Sequence, residues 1–517
     1  MSDWTSGYVA DLGYTHGCYP EFSLERLRMA FLSAGLVLPA ITTACELGYG
    51  QGLSANVCAA ATDVQWHGTD FLPAQAAHAQ ELAAAAGRGA RFLDEAFADY
   101  CARTDLPDFD FIGLHGTWSW VNEDNRRILV DFIRRKLKVG GVLYISYNTQ
   151  PGWANMMPMR HLLVEHARVM GATGQGSAGR IGGAMQFGEQ LMALDPLYAS
   201  RNPEVKGRFA NLKGKDRAYL AHEFFNRDWH PMPFAHVAEA LEPAKVEFAC
   251  SAALTDHLDE IHLTAAQQAF LRNVPHTGLR QTARDFLLDT QFRRDYWVRG
   301  LRRMGVQEQL DAWRALRVLL VTPGADIALR TKGTLGEVAL QPELYAPVIA
   351  ALADHGIRSI ADLEQQLAPH GLVLPRILQA VRMLHAKGDL ALVQDEPARA
   401  AAAAPCGRLN AHLMRRSRSL EEAQALASPV TGAAVPVSRF QQLFLLAREQ
   451  CRREPADWAA FVAEILQANR EQVLRDGRPL ASPADLQAEL LRQASEFARQ
   501  RLPALVALQV APPDPAG

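Results

Sequence analysis

The sequence predicts an α/β protein: a Rossmann-like domain with a doubly wound parallel sheet comes first, followed by mainly helical middle and C-terminal domains, one part winged-helix-like. Three observations carry this. Residues 41–149 alternate between short apolar runs and amphipathic stretches of helical period. A glycine-rich turn, Glu46-Leu-Gly48-Tyr-Gly50-Gln-Gly52, joins the first strand to the first helix of that alternation. Beyond residue 150 helical patterns take over.

Residues 41–47 read as a strand, and the glycines open a helix over 53–61. A second strand covers 64–68 and ends at Thr69-Asp70. An alanine-rich helix over 74–86 and a short strand over 91–93 follow. The run 110–115 (DFIGLH) has the character of a strand buried on both faces. Over 123–137, Ile128, Leu129, Phe132, Ile133 and Leu137 form one helical face, and Gly140-Gly141 is expected to stop that helix. A strand over 141–147 closes the pattern. The stretch 171–183 (GATGQGSAGRIGG) reads as a mobile loop. Over 340–394 two helical patterns precede a short strand; Ile377, Leu378, Val381 and Leu384 share a face and Gly388 ends the helix. That order fits a winged-helix-like unit. Residues 395–405 read as a linker, the chain from 406 as mainly helical, and the final APPDPAG as a disordered tail. The expected domains are 1–155, 156–330, 331–394 and 406–510.

Composition narrows the function. A balance of 53 Lys+Arg against 56 Asp+Glu excludes a generally basic nucleic-acid binder. No apolar run is long enough for a transmembrane helix, and the first residues lack the basic-then-apolar pattern of a secretory signal. The 7 cysteines are an odd number with no CxxC, which suggests neither a disulfide framework nor a metal site. A cytoplasmic protein without membrane insertion is the expectation.

The glycine turn carries the chemistry. Its G-x-G-x-G spacing differs from G-x-G-x-x-G, where a pyrophosphate sits on the helix N-terminus. Glu46 stands two positions before Gly48, where a carboxylate repels a pyrophosphate. It suits a ligand with an ammonium, such as the methionine part of S-adenosylmethionine. Asp70 ends the second strand, where an acid accepts hydrogen bonds from both ribose hydroxyls; a helix N-cap is its other reading. After the third strand, Asp94-Glu95-Ala96-Phe97 offers a carboxylate to an adenine amino group, with Phe97 or Ala96 against the ring. Glu95 is preferred over Asp94 on spacing, and a solvated loop acid is the alternative.

The segments ELGYGQG, HGTDF, LKVGG and GVLYISY resemble the class I, seven-strand S-adenosylmethionine-dependent methyltransferases, with Val139 where that family commonly has proline. YTHGCYPEFSLERL, LHGTWSWVNEDNR, ISYNTQPGW and YLAHEFFNRDWHPMPFAHVAEAL resemble a narrower bacterial group that carries a methyltransferase regulatory domain and includes rickettsial-type protein lysine methyltransferases. The resemblance spans about residues 8 to 325, and LASPVTGAAVPVSRFQQLFLLA extends it towards the C-terminus. It implies S-adenosylmethionine as cofactor, held by Tyr14, Glu46, Gly48, Gly50, Gly52, Asp70, Phe71, Glu95, Ala96, Phe97, His115 and Trp118. It also implies a lysine-bearing protein as methyl acceptor. At the end of the fourth strand, DNA and amide N-methyltransferases carry [DN]-P-P-[FY]; this chain has His115-Gly-Thr-Trp118, which favours an amine over a planar base. A small-molecule or saccharide methyltransferase, and a cofactor-binding scaffold without catalysis, remain alternatives.

Lysine methylation needs a neutral amine and an aromatic channel with a few acceptors. Trp118, Trp120, Tyr147, Trp153, Tyr219 and the segment from His222 to Trp229 could line one. Tyr147, Asn148, His222, Glu223, Asn226 and Trp229 are the candidate catalytic residues; His222 and Asn226 share a helix face at i and i+4. The tryptophans 118 and 120 could equally be loop anchors, and 219–229 a domain-interface core with Glu223 capping or pairing. Arg284-Asp285 and Arg293-Arg294-Asp295 read as structural ion pairs. Arg376, Gln379, Arg382 and Lys387, with the basic MRRSRS at 414–419, raise DNA contact as a competing idea, which the near-neutral charge disfavours.

Overall fold

The computed structural model of the protein describes residues 8–13, 15–172, 174, 176–419, 423–475, 478–480 and 482–513. Seven strands form the main sheet: β1 (Thr43–Leu47), β2 (Gln65–Thr69), β3 (Arg91–Leu93), β4 (Phe109–Leu114), β5 (Leu137–Asn148), β6 (Glu247–Ser251) and β7 (Phe292–Val298). Their order is β3-β2-β1-β4-β5-β7-β6. The first five run parallel, and β7 is antiparallel to both β5 and β6. The helices of this part are α1 (Leu24–Ser33), α2 (Leu53–Ala61), α3 (Pro73–Ala86), α4 (Phe97–Ala102) and α5 (Glu123–Lys136).

Strand β4 shows why its sequence reads as one apolar run. Phe109, Ile112 and Leu114 join the core under α5 with Phe132 and Ile133. Phe111 points to the other face and meets Phe22 and Trp66. Both faces are covered, as parallel sheets require.

Two expectations about the sheet change. The fully parallel sheet is completed by an antiparallel strand. Its last two strands also come from residues 247–298, inside the stretch expected to be a helical middle domain, so a boundary at 155 cuts through the sheet. The reason is local: FRRDYWV hides its strand character behind Arg293 and Asp295, which pair with each other on one face.

Helix α5 starts where Asn122 accepts the Asn125 N–H (2.9 Å), with Glu123 and Asp124 in its first turn and Arg134, Arg135 and Lys136 in its last. It ends at Lys136, before the glycine pair. Leu137 already belongs to β5 and is buried. Gly140, at φ +84°, bends that strand, and its N–H donates to the Arg299 carbonyl (2.7 Å). The glycines therefore shape a strand rather than cap a helix.

The middle helices are α6 (Met157–Val169), α7 (Ser177–Ala193), α8 (Leu197–Arg201), α9 (Pro203–Lys213), α10 (Arg217–Phe224) and α11 (Phe234–Leu241). Helix α7 occupies the second half of the expected glycine loop. Ile181, Ala184 and Met185 enter a core with Leu163 and Phe209. A Cβ on Gly188 would come within 2.8 Å of Phe209, so glycine here permits close packing rather than flexibility.

The expected linker at 395–405 is the start of a helix, Glu396–Arg416. Asp395 caps it by accepting the Ala398 N–H (2.9 Å). Ala402, Cys406 and Leu409 pack it into one core with Val57 of α2 and Leu82 of α3. The chain beyond is mainly helical, with a two-stranded hairpin over Ala425–Ser428 and Ala433–Pro436. Of the expected disordered tail, residues 514–517 lie outside the described residues.

Two helices, Ile360–Leu367 and Leu374–Lys387, and the strand Leu390–Val393 form in the expected order, which does not by itself make a winged helix. Among the described residues no wing hairpin follows that strand directly. Helix 396–416 follows directly, and the central strand of the small sheet is Arg317–Leu320, from before these helices. The basic residues of the second helix make contacts within the chain. Arg382 donates to the His257 carbonyl (2.7 Å), Arg376 to Gln341 (2.8 Å), and Lys387 pairs with Asp389 (3.1 Å). Arg416 pairs with Glu81 (3.1 Å). This arrangement gives the DNA-contact idea no support. No helix among the described residues is long and apolar enough to cross a membrane.

Candidate active site

The three glycines of the turn sit at φ +79°, +58° and +69°, in the region that favours glycine. They differ in what they do. A Cβ on Gly48 would stand 2.7 Å from Thr117 Oγ1, and one on Gly52 would stand 2.5 Å from the Ala79 Cβ. Gly48 and Gly50 line a cavity, whereas Gly52 lets α2 pack closely on α3. Asp70 ties the two turns together. Its carboxylate accepts the Gly50 N–H (2.9 Å) and the Leu72 N–H (3.1 Å); it is not a helix N-cap, because Leu72 holds that position on α3 with no side-chain cap bond.

The cavity has a volume of about 350 Å³ and lies beyond the carboxyl ends of the parallel strands, where open α/β sheets bind ligands. Gly48, Gly50, Asp70, Phe71, Glu95, Ala96, Phe97 and His115 all line it. Tyr14 lies outside the described residues. Glu46 is buried beneath the turn, and its Oε2 has no hydrogen-bond partner. Burial first, and then the neighbouring Asp70, push its carboxyl well above the usual range. Burial likewise pushes Asp70 up to about 6. Glu95 donates no bond; it accepts from Arg103 at one oxygen (2.6 Å), while its buried Oε2 has no partner. Glu95 brings a buried carboxylate oxygen without a donor to the cavity lining, and Glu46, which does not line the cavity, keeps another beneath the turn; the pair fits a ligand with an amino-bearing ring at one end and an ammonium at the other. S-adenosylmethionine is such a ligand. Glu46, Asp70 and Glu95 are the residues that would hold it.

Trp118 is not at this cavity. It is fully buried in the core with Leu47, Leu114 and Ile145, and Trp120, two residues on in the same turn, lines the cavity instead. Tyr147 is likewise in that core, with its hydroxyl donating to Asp295 (2.8 Å). Period-two alternation explains this: Tyr144 and Ser146, on the other face of β5, are buried behind the lining and hold His115 and Gly116 of it. The Tyr144 hydroxyl meets His115 Nδ1 (2.7 Å), and Ser146 Oγ accepts the Gly116 N–H (2.8 Å). Asn148 is an anchor: its Oδ1 accepts the Trp153 indole N–H (3.1 Å) and its carbonyl the Met232 N–H (3.0 Å). Trp229 stands behind Trp120 (6.2 Å), edge-on to Trp153 (5.1 Å) and beneath the Arg160 guanidinium (4.6 Å).

His222, Glu223 and Asn226 line the cavity. Two of them hold the N-terminal strap. Asn226 Oδ1 accepts the Val9 N–H (3.0 Å), and His222 Nε2 lies 3.0 Å from the Leu12 carbonyl. Burial lowers the His222 imidazole below its ordinary range. The strap brings in Tyr8, a cavity residue that sequence reasoning missed, set between the rings of Phe71 (5.5 Å) and His222 (5.4 Å).

A second chamber, about 230 Å³, adjoins the first and shares His115, Gly116, Trp120, His222 and Glu223 with it. Its remaining lining includes Tyr19, Tyr219 and Phe292. Tyr19 stacks on His115 (centroids 3.4 Å apart). Burial pushes the His115 imidazole down to about 3, so it stays neutral. Glu223 is the one carboxylate among the described residues lining this chamber.

Comparison with known proteins agrees with this geometry. Residues 45–145 match the family described as "Methyltransferase domain", and residues 216–299 the "Predicted methyltransferase regulatory domain". An uncharacterized Synechocystis protein, sll1526, is 36% identical over 512 residues, 98% of this chain and 99% of that protein. The structure of PKMT2 from Rickettsia typhi in complex with AdoHcy superposes with a TM-score of 0.66 at 14% identity, covering 94% of this chain and 98% of that one; that likeness is one of fold. Fold, site and matched families define an S-adenosylmethionine-dependent methyltransferase with S-adenosylmethionine as its cofactor. The chain belongs to the family it shares with the Synechocystis protein, and in this chain a methyltransferase domain is joined to a methyltransferase regulatory domain.

Proposed function

We propose that this enzyme methylates the ε-amino group of lysine side chains in a protein substrate, in the cytoplasm, where free cysteines such as its own persist. The observation that carries the reading is the second chamber: aromatic walls, a neutral imidazole and one carboxylate at its junction with the cofactor cavity. Tyr19, Trp120, Tyr219 and Phe292 suit the methylene stem of a lysine and, after reaction, a methylated ammonium. The resemblance of residues 8–325 to rickettsial-type lysine methyltransferases points the same way.

When bound, S-adenosylmethionine supplies a methyl group already activated on a sulfonium. The chain's task is alignment and proton handling. Glu223 meets the incoming ammonium and accepts its proton, which frees the nitrogen lone pair; a lysine of ordinary pKa, about 10.4, is otherwise charged. His115 stays neutral and does not repel the ammonium. Glu46, Asp70 and Glu95 bind, and the strap from Tyr8 to Gly13 covers the cavity.

Glu223→Gln should lower kcat for methylation of Nα-acetyl-lysine amide by about 10- to 100-fold near neutral pH. The deficit should shrink as pH rises towards the lysine pKa, because the amine then arrives neutral. A deficit constant with pH would leave Glu223 a structural role. Methyl transfer to small hydroxyl compounds but not to the lysine amide would move the assignment to a small-molecule or saccharide methyltransferase.

A further inference from the structure

A third cavity, about 680 Å³, opens at the sheet edge between β6, β7 and the helix Thr277–Leu288. Phe292 lines both this cavity and the second chamber. Its ring is 37% exposed and lies 6.1 Å from His115. Phe292 is thus the residue common to the second chamber, which would take the lysine, and the third cavity.

The charges there do not balance. Arg293 holds both Asp285 (2.7 Å) and Asp295 (2.9 Å), Arg284 holds Asp259, and the Ser251 hydroxyl donates to Asp256 (2.7 Å). Arg294 is paired with Glu21, which lies outside the cavity (2.8 Å). Every aspartate of the lining thus has a partner. Arg272, Arg280 and Arg303 also line the cavity, and none has a carboxylate partner among the described residues. Arg272 and Arg303 are exposed, and Arg280 bonds only to its own helix start, at the Val274 carbonyl (3.2 Å) and the Thr277 hydroxyl (3.4 Å). Guanidinium forks without acids are built for carboxylates.

We propose that the third cavity binds acidic residues of the substrate polypeptide next to the methylated lysine, so that Arg272, Arg280 and Arg303 set which lysines are chosen. This rests on the lysine reading above and adds the sequence context of the acceptor. The experiment compares kcat/KM of the full-length enzyme for two peptides with one lysine each, flanked by aspartates or by alanines, beside Nα-acetyl-lysine amide. Two or three solvated ion pairs, each worth a factor of about two to three, give the acidic peptide an advantage of about four- to thirtyfold. High salt should erase it. Arg272→Glu combined with Arg303→Glu should bring the ratio to one or below; both residues are exposed, and a cofactor titration checks that the variant is folded.

An acidic-to-alanine ratio near one in the wild type, or one unchanged in the double variant, overturns the proposal while methylation of the amide keeps the lysine reading intact. If the enzyme binds S-adenosylmethionine and methylates neither peptide nor amide, the lysine reading fails and this proposal fails with it.

Discussion

Asp70→Ala should weaken S-adenosylmethionine binding by about a hundredfold, close to 2.7 kcal/mol. Hydrogen bonds to a charged acceptor are worth about 1.5–3 kcal/mol, and the alanine removes the carboxylate proposed to meet the ribose hydroxyls. It also leaves the Gly50 and Leu72 N–H groups without their acceptor, which loosens both turns around the cavity. The pH dependence gives a second readout. Burial holds Asp70 up at about 6, and the ionised form is the one that accepts from hydroxyls. Below that pH binding must first expel a proton. Wild-type affinity should therefore rise by up to about tenfold per unit between about pH 5 and pH 6, then level off. In the cofactor-free protein the sign reverses. A carboxyl with a raised folded pKa favours the fold below its ordinary value of about 3.8, and that contribution is lost as pH rises through about 6. Calorimetric titration of both proteins across this range decides. A flat wild-type profile, or a variant with wild-type affinity, would contradict the assignment.

Arg293→Ala should destabilise the sheet by about 3–5 kcal/mol. The guanidinium is buried, donates to Asp285 (2.7 Å), Asp295 (2.9 Å) and Gln281 (3.0 Å), and lies over the Phe234 ring (4.6 Å). Asp295 also accepts the Tyr147 hydroxyl (2.8 Å). Without the cation, two buried carboxylates lose the donors that Arg293 supplies to both of them. Arg293→Lys should recover only part of the loss, because a lysine ammonium cannot span both acids with a fork. Thermal melts monitored by tryptophan fluorescence check this: Trp297 lies on β7 itself. An Arg293→Ala melt that coincides with wild type would show that the network contributes little.

The parts of the site that sequence reasoning reached are those encoded by local pattern. Glu46, the glycines and Asp70 sit at strand ends, where the switch from strand to helix is visible in the chain itself. Tyr147 was misplaced for a physical reason. GVLYISYN lies buried on both faces, so no alternation of polar and apolar residues reveals that Tyr144 and Ser146, not Tyr147, support the lining residues His115 and Gly116. Trp118 and Trp120 exchange places for a similar reason, since a single helical turn sends one ring into the core and the other to the cavity. Tyr8 reaches the cavity because Val9 is held by Asn226, 217 residues away, a contact no local pattern announces. The helix at 396–416 was more accessible: Asp395 followed by Glu396 and Pro397 is a helix start, masked by the alanine run that resembles a linker. Strands β6 and β7 complete the sheet from a distant stretch, and their charged residues pair only once they are side by side.

The most direct test is to incubate the enzyme with S-adenosylmethionine carrying a labelled methyl group and with lysate protein, then to locate the label by tandem mass spectrometry. The proposed lysine reading predicts label on lysine ε-nitrogens, lost with Asp70→Ala and reduced with Glu223→Gln. Bound cofactor with label only on small molecules or hydroxyl groups, and none on lysine, would contradict it.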